Sequence, residues 1–68
     1  MGEGAIEPLR AIVLDETEDL NVRVYAIHTY TALVKEDAVK TLKQIRNDPD
    51  AEIRDLVANI LTDFKSSK

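Results

Sequence analysis

Sliding the chain 33 positions against itself lays Ala5, Ile6, Leu9 and Ile12 over Ala38, Val39, Leu42 and Ile45. At a shift of 31, Thr17-Glu18-Asp19-Leu20-Asn21-Val22-Arg23 lies over Asp48-Pro49-Asp50-Ala51-Glu52-Ile53-Arg54. The two shifts differ by two residues, and the difference falls near Asp15 and Glu16, where a turn takes an insertion at small cost. A period of about 30 residues belongs to helical arrays, whose units are helix pairs that bury an apolar face only by stacking on a neighbour.

The apolar spacing within each unit supports helices. Ala5, Ile6, Leu9, Ile12 and Val13 share one stripe, and the spacing predicts a first helix over about 4–14 with Pro8 near its first turn. Thr17, followed by Glu18 and Asp19, predicts the start of a second helix that reads to Val34. Ala38, Val39, Leu42 and Ile45 predict a third over about 36–47, ended by the restriction Pro49 places on Asp48. Asp48 as cap and Pro49 as first helical residue predict a fourth over about 49–65, with Ile53, Leu56, Val57, Ile60, Leu61 and Phe64 as its apolar face. The expected fold is all-α, a single domain over 1–68 with repeat one at about 4–34 and repeat two at about 35–65. Helix two carries a main apolar face of Val22, Tyr25, Ala26, Thr29, Tyr30 and Leu33 and, beside it, a further stripe of Val24, Ile27, Thr31 and Val34, where helix four has Asp55, Ala58, Thr62 and Lys65. An inner second helix sandwiched by the next repeat and a terminal one facing water would differ in this way. At the N-terminal end Val13 and Leu14 stand where helix three has Arg46 and Asn47, so an uncovered apolar edge is expected there.

Composition narrows the function. Sixty-eight residues hold one small module, too little for separate cofactor and substrate lobes. Asp+Glu 13 against Lys+Arg 9 gives a formal charge of -4, which removes the electrostatic attraction behind most nucleic-acid affinity. With Cys 0 there is neither a disulfide framework nor a thiolate metal site, which fits a reducing, cytoplasmic setting. The longest apolar run, Ala11 to Leu14, is far shorter than a membrane span or a signal segment.

The sequence resembles the HEAT-like repeats, in the short form of the phycobilisome-lyase type. The first-helix signature is carried by Ala5-Ile6-Glu7-Pro8-Leu9, and the turn and second-helix opening by Asp48-Pro49-Asp50 with Ile53-Arg54. The likeness spans about residues 4–64. It departs from the family where Val34-Lys35-Glu36-Asp37 replaces a small Gly-Asp linker and where Thr17-Glu18 stands for the usual Asp-Pro. The resemblance implies an α-α superhelix of two helical hairpins. It also implies a structural role for Asp19 with Arg23 and for Asp50 with Arg54, pairs whose four-residue spacing brings opposite charges onto one helix face.

The remaining candidates are weighed by chemistry. His28 is the only histidine, so no second imidazole or thiol completes a zinc site, and its helix offers no serine or cysteine to activate. The Asp15-x-Thr17-x-Asp19 spacing lacks the glycine and the bidentate glutamate of a calcium loop. Lys40, Lys43 and Arg46 read as the solvated face of an amphipathic helix. The expectation is a non-catalytic protein-interaction or scaffold module, with no cofactor, metal, nucleic acid or membrane. Its partner surface is expected on the second-helix side at Ile27, His28, Thr31, Asp55, Ala58 and Asn59, and at the N-terminal edge through Val13 and Leu14. A homodimer or an obligate protein partner is expected, since two repeats are fewer than arrays usually need. The alternatives from other classes are an accessory part of a bilin lyase-like enzyme and a DNA-repair HEAT-like domain.

Overall fold

The computed structural model describes residues 2–66, and among these it contains helices and turns with no strand. The helices are α1 (Gly2–Leu14), α2 (Leu20–Val34), the short α3 (Ala38–Gln44) and α4 (Ala51–Ser66). α3 has seven residues and continues a 3-10 turn at Lys35–Asp37, whereas the other three run to 13, 15 and 16. No helix among the described residues is long and apolar enough to cross a membrane.

Each helix falls where the apolar period places it, and the ends differ from the expected bounds for local reasons. α2 begins at Leu20, later than a Thr17 cap predicts, because Asp19 is the cap. Its carboxylate accepts from the backbone N–H of Asn21 at 3.0 Å and of Val22 at 3.4 Å. Thr17 instead turns back on Asp15, donating its N–H at 2.9 Å and its hydroxyl at 2.6 Å to one carboxylate oxygen. α4 likewise begins two residues after Pro49, with Asp50 in the capping position. The Glu52 N–H donates to the Asp50 side chain at 3.0 Å, and the Arg54 N–H to the Asp50 carbonyl at 3.1 Å. α3 stops at Gln44, since Ile45 leaves the helical region with φ −111° and ψ 18°. α1 reaches back to Gly2, which puts Pro8 in its second turn, where the ring removes the bond an N–H would make to the Gly4 carbonyl.

α2 ends at Lys35, whose φ of 55° lies in the left-handed region that suits glycine. The Lys35 N–H still closes the helix by donating to the Thr31 carbonyl. α1 packs on α2 and α3 on α4, and α2 also touches both α3 and α4. The result is a slab of 33 × 32 × 17 Å. Its core joins Val13, Ala26 and Ile27 from the first half to Leu42, Ile53 and Val57 from the second, each 0% or 1% exposed. Across the same junction the Tyr30 hydroxyl and the Thr41 hydroxyl share a buried hydrogen bond of 2.8 Å.

Candidate functional site

The centre of the molecule is an ion pair that local spacing does not foretell. Arg23 is 2% exposed and holds both oxygens of Asp48, Nη1 to Oδ2 at 3.0 Å and Nη2 to Oδ1 at 2.8 Å. Nη2 also donates to the Val13 carbonyl at 2.8 Å. Asp48, 3% exposed, further accepts the Asp50 N–H at 3.0 Å. Arg54 grips the same turn from outside, Nη1 donating to the carbonyls of Asp48 at 2.7 Å and Pro49 at 3.3 Å. The Arg23 guanidinium holds the Asp48 carboxyl below its ordinary range; burial opposes this, and the Asp50 N–H adds to it. Among the described residues, the expected pairs Asp19 with Arg23 and Asp50 with Arg54 are not made. Both carboxylates cap helices, and each arginine reaches past its own helix to the turn at Asp48.

The two halves repeat these local bonds. The Asp15 N–H donates to the Ile12 carbonyl at 3.2 Å, as the Asp48 N–H does to the Ile45 carbonyl at 3.2 Å. Each aspartate accepts the N–H two residues on, Thr17 for Asp15 and Asp50 for Asp48. The structural match of Asp48 is therefore Asp15, in the 33-residue register, and the two extra residues fall between Asp15 and Asp19. Carrying the first self-match three residues past Ile12 and Ile45 was the signal for it.

With the matches in place, each half shows a covered and an open side. Ile53, 0% exposed, corresponds to Val22 at 41%, and half-buried Leu56 corresponds to Tyr25 at 70%. Buried Leu42 and Ile45 correspond to half-buried Leu9 and Ile12, and buried Asp48 to exposed Asp15. The first half thus leaves uncovered the face that the second half buries. Val22, Tyr25, Thr29 and Leu33 run along this face at i, i+3, i+7 and i+11. On the opposite side the order reverses. Buried Val13, Arg23 and Ile27 correspond to exposed Arg46, Arg54 and Ala58, and half-buried Val24 to exposed Asp55. These second-half residues line an open groove of about 860 Å³ between α3 and α4, with Val39, Lys43, Leu61 and Lys65.

The expected partner surface is therefore divided and partly withdrawn. Val13 and Ile27 are 0% exposed, so neither presents a contact, and Leu14 is half-buried against the core. The apolar N-terminal edge exists, but α2 builds it, because Val13 turns inward to the junction that its carbonyl shares with Arg23. His28 and Thr31 line a shallow groove with Ile60, Asp63 and Phe64, apart from the groove that holds Asp55 and Ala58. Asn59 is exposed and lines neither. The Thr31 hydroxyl is buried without a hydrogen-bond partner among the described residues, as is Arg23 Nε. Among the described residues no group of three or more histidines and acidic side chains is placed to hold a metal.

No family model, no curated protein and no solved structure matches this chain.

Proposed function

We propose that this chain is a protein-interaction module that acts by binding and not by chemistry, built from two HEAT-like hairpins stacked as a short α-α superhelix. The observation that carries the reading is the uncovered face of α2, where Val22 at 41%, Tyr25 at 70% and Leu33 at 43% are the large exposed hydrophobic residues. Their matched positions in the second half, Ile53, Leu56 and Phe64, are buried or half-buried, so this face resembles a junction without its other side. An apolar stripe held on a rigid helix and bordered by acidic turns is a docking feature. The repeated capping bonds at Asp19 and Asp50, and the repeated turns at Asp15 and Asp48, support the hairpin reading. The formal charge of -4 favours protein over nucleic acid as the partner.

Affinity capture with the immobilised chain tests the proposal, comparing wild type with Tyr25→Asp and with Lys40→Glu on the exposed side of α3. Partners retained by wild type and by Lys40→Glu but lost with Tyr25→Asp support the module. Retention that ignores Tyr25→Asp refutes the assignment of this face.

A further inference from the structure

We propose that the chain associates with copies of itself head to tail, the α2 edge of one copy seating on the α3–α4 groove of the next. This rests on the stacked-hairpin reading above and adds the identity of the partner. The buried bond between halves is Arg23 to Asp48. Each side of that bond recurs once, at an exposed position where it makes no ion pair. Asp15 has the backbone geometry of Asp48, N–H to the residue three before and carboxylate to the N–H two after, yet it is exposed and holds no arginine. Arg54 has the helical position of Arg23, four residues after the capping aspartate, yet it is exposed and donates only to carbonyls. Stacking a second copy in the register of the internal junction brings Asp15 of one chain to Arg54 of the other.

Charge favours this arrangement over a symmetric one. The edge that carries Asp15 also carries Glu16 and Glu18, whereas the groove that carries Arg54 carries Lys43, Arg46 and Lys65 beside Glu36 and Asp55. Head to tail, acid meets base; edge to edge, the two acidic turns enter one interface and repel. The groove is more polar than the side of α2 it mimics, with Asp55 and Ala58 in place of Val24 and Ile27, so the contact is reversible and salt-sensitive. Because the joined surfaces differ, the assembly does not close on itself by a two-fold axis and grows as a linear series.

Sedimentation of the full chain from micromolar to millimolar concentration is the test, with helicity checked by circular dichroism for each variant. Wild type is expected to show a mass that rises with concentration without a plateau at the dimer and falls as salt is added. Asp15→Arg and Arg54→Asp, both at exposed positions, are each expected to weaken association at least about tenfold, the effect of losing a charge-assisted bond. Mixed together, the two variants meet with opposite charges at both kinds of junction and are expected to associate where each alone does not. The double variant Asp15→Arg/Arg54→Asp reverses both signs and is expected to associate again. A monomer across the whole range overturns the proposal. So does a dimer that ignores Arg54→Asp and is abolished by Tyr25→Asp, since that pattern is edge to edge. A chain that stays monomeric while binding a different protein through Tyr25 overturns self-association and leaves the interaction-module reading standing.

Discussion

Replacing Asp48 with alanine removes the carboxylate that faces Arg23, and its cost follows from what the arginine then lacks. Two guanidinium hydrogen bonds disappear, at 3.0 and 2.8 Å, along with the acceptor of the Asp50 N–H. The guanidinium remains at 2% exposure with the Val13 carbonyl as its one hydrogen-bond partner and Nε unpaired. Breaking a buried pair from one side costs about 3–5 kcal/mol, because a charge is left behind in a site that water does not reach. A chain of 68 residues has on the order of 3–10 kcal/mol in total at typical values per residue, so Asp48→Ala is expected to leave a large unfolded fraction at neutral pH. Asp48→Asn keeps the shape and an acceptor but loses the charge, and should cost about 1.5–3 kcal/mol.

Two companions isolate the cause. Asp15→Ala removes the matched but exposed aspartate and should cost less than about 1 kcal/mol. Arg23→Met with Asp48→Ala removes the stranded charge and should be less damaging than Asp48→Ala alone. Urea unfolding followed by circular dichroism at pH 7 gives each value, and an unchanged slope shows that the unfolded reference is shared. Equal small losses for Asp48→Ala and Asp15→Ala, or a double variant worse than the single one, would show that the pair does not hold the halves together.

Other outcomes follow from the same contacts. The depressed Asp48 carboxyl contributes stability that is complete above the unfolded value of about 4 and is lost as pH falls below it through the folded value, so acid unfolding curves of Asp48→Asn should be flatter than those of wild type in that range. Lys35→Gly should raise the urea midpoint, with a gain of about 1 kcal/mol, because the strain of a side chain at φ 55° exceeds the added freedom of glycine in the unfolded chain. Ile27→Asp should cost several kcal/mol by the same melts, as an unpaired charge at a 0% exposed site, whereas Asp55→Ala, at the exposed match of Val24, should cost little. Thr31→Val should be neutral or stabilising by up to about 1 kcal/mol, since the hydroxyl it removes is buried without a partner.

The helices were legible because an apolar period of 3.6 survives small errors in register, as Leu42 with Ile45 and Ile53 with Val57 illustrate. The capping residues were not, because two acidic or hydroxyl side chains compete near each start and the sequence alone does not say which one is claimed elsewhere. Asp48 lies where a cap is expected, but an arginine 25 residues away takes its carboxylate, leaving Asp50 to cap α4. The same long reach hid the ion pair. Four-residue spacing favours Asp19 with Arg23, yet a short carboxylate beside open backbone N–H groups bonds locally, and a long guanidinium on a buried face crosses to the neighbouring turn.

The two open faces were unequally visible for a related reason. On the groove side a covered position and its uncovered match differ in residue type, Val24 against Asp55 and Val13 against Arg46, so comparing the halves exposes which side meets water. On the α2 side both members are apolar, Ile53 against Val22 and Leu56 against Tyr25, and comparison yields no contrast. Only exposure separates these pairs, Val22 at 41% against Ile53 at 0% and Tyr25 at 70% against half-buried Leu56. A face that keeps the residues of a buried junction while lying open reads as core from the sequence, so Val22, Tyr25 and Leu33 are expected within the main face of helix two, whereas the edge expected at Val13 and Leu14 rests on their contrast with Arg46 and Asn47.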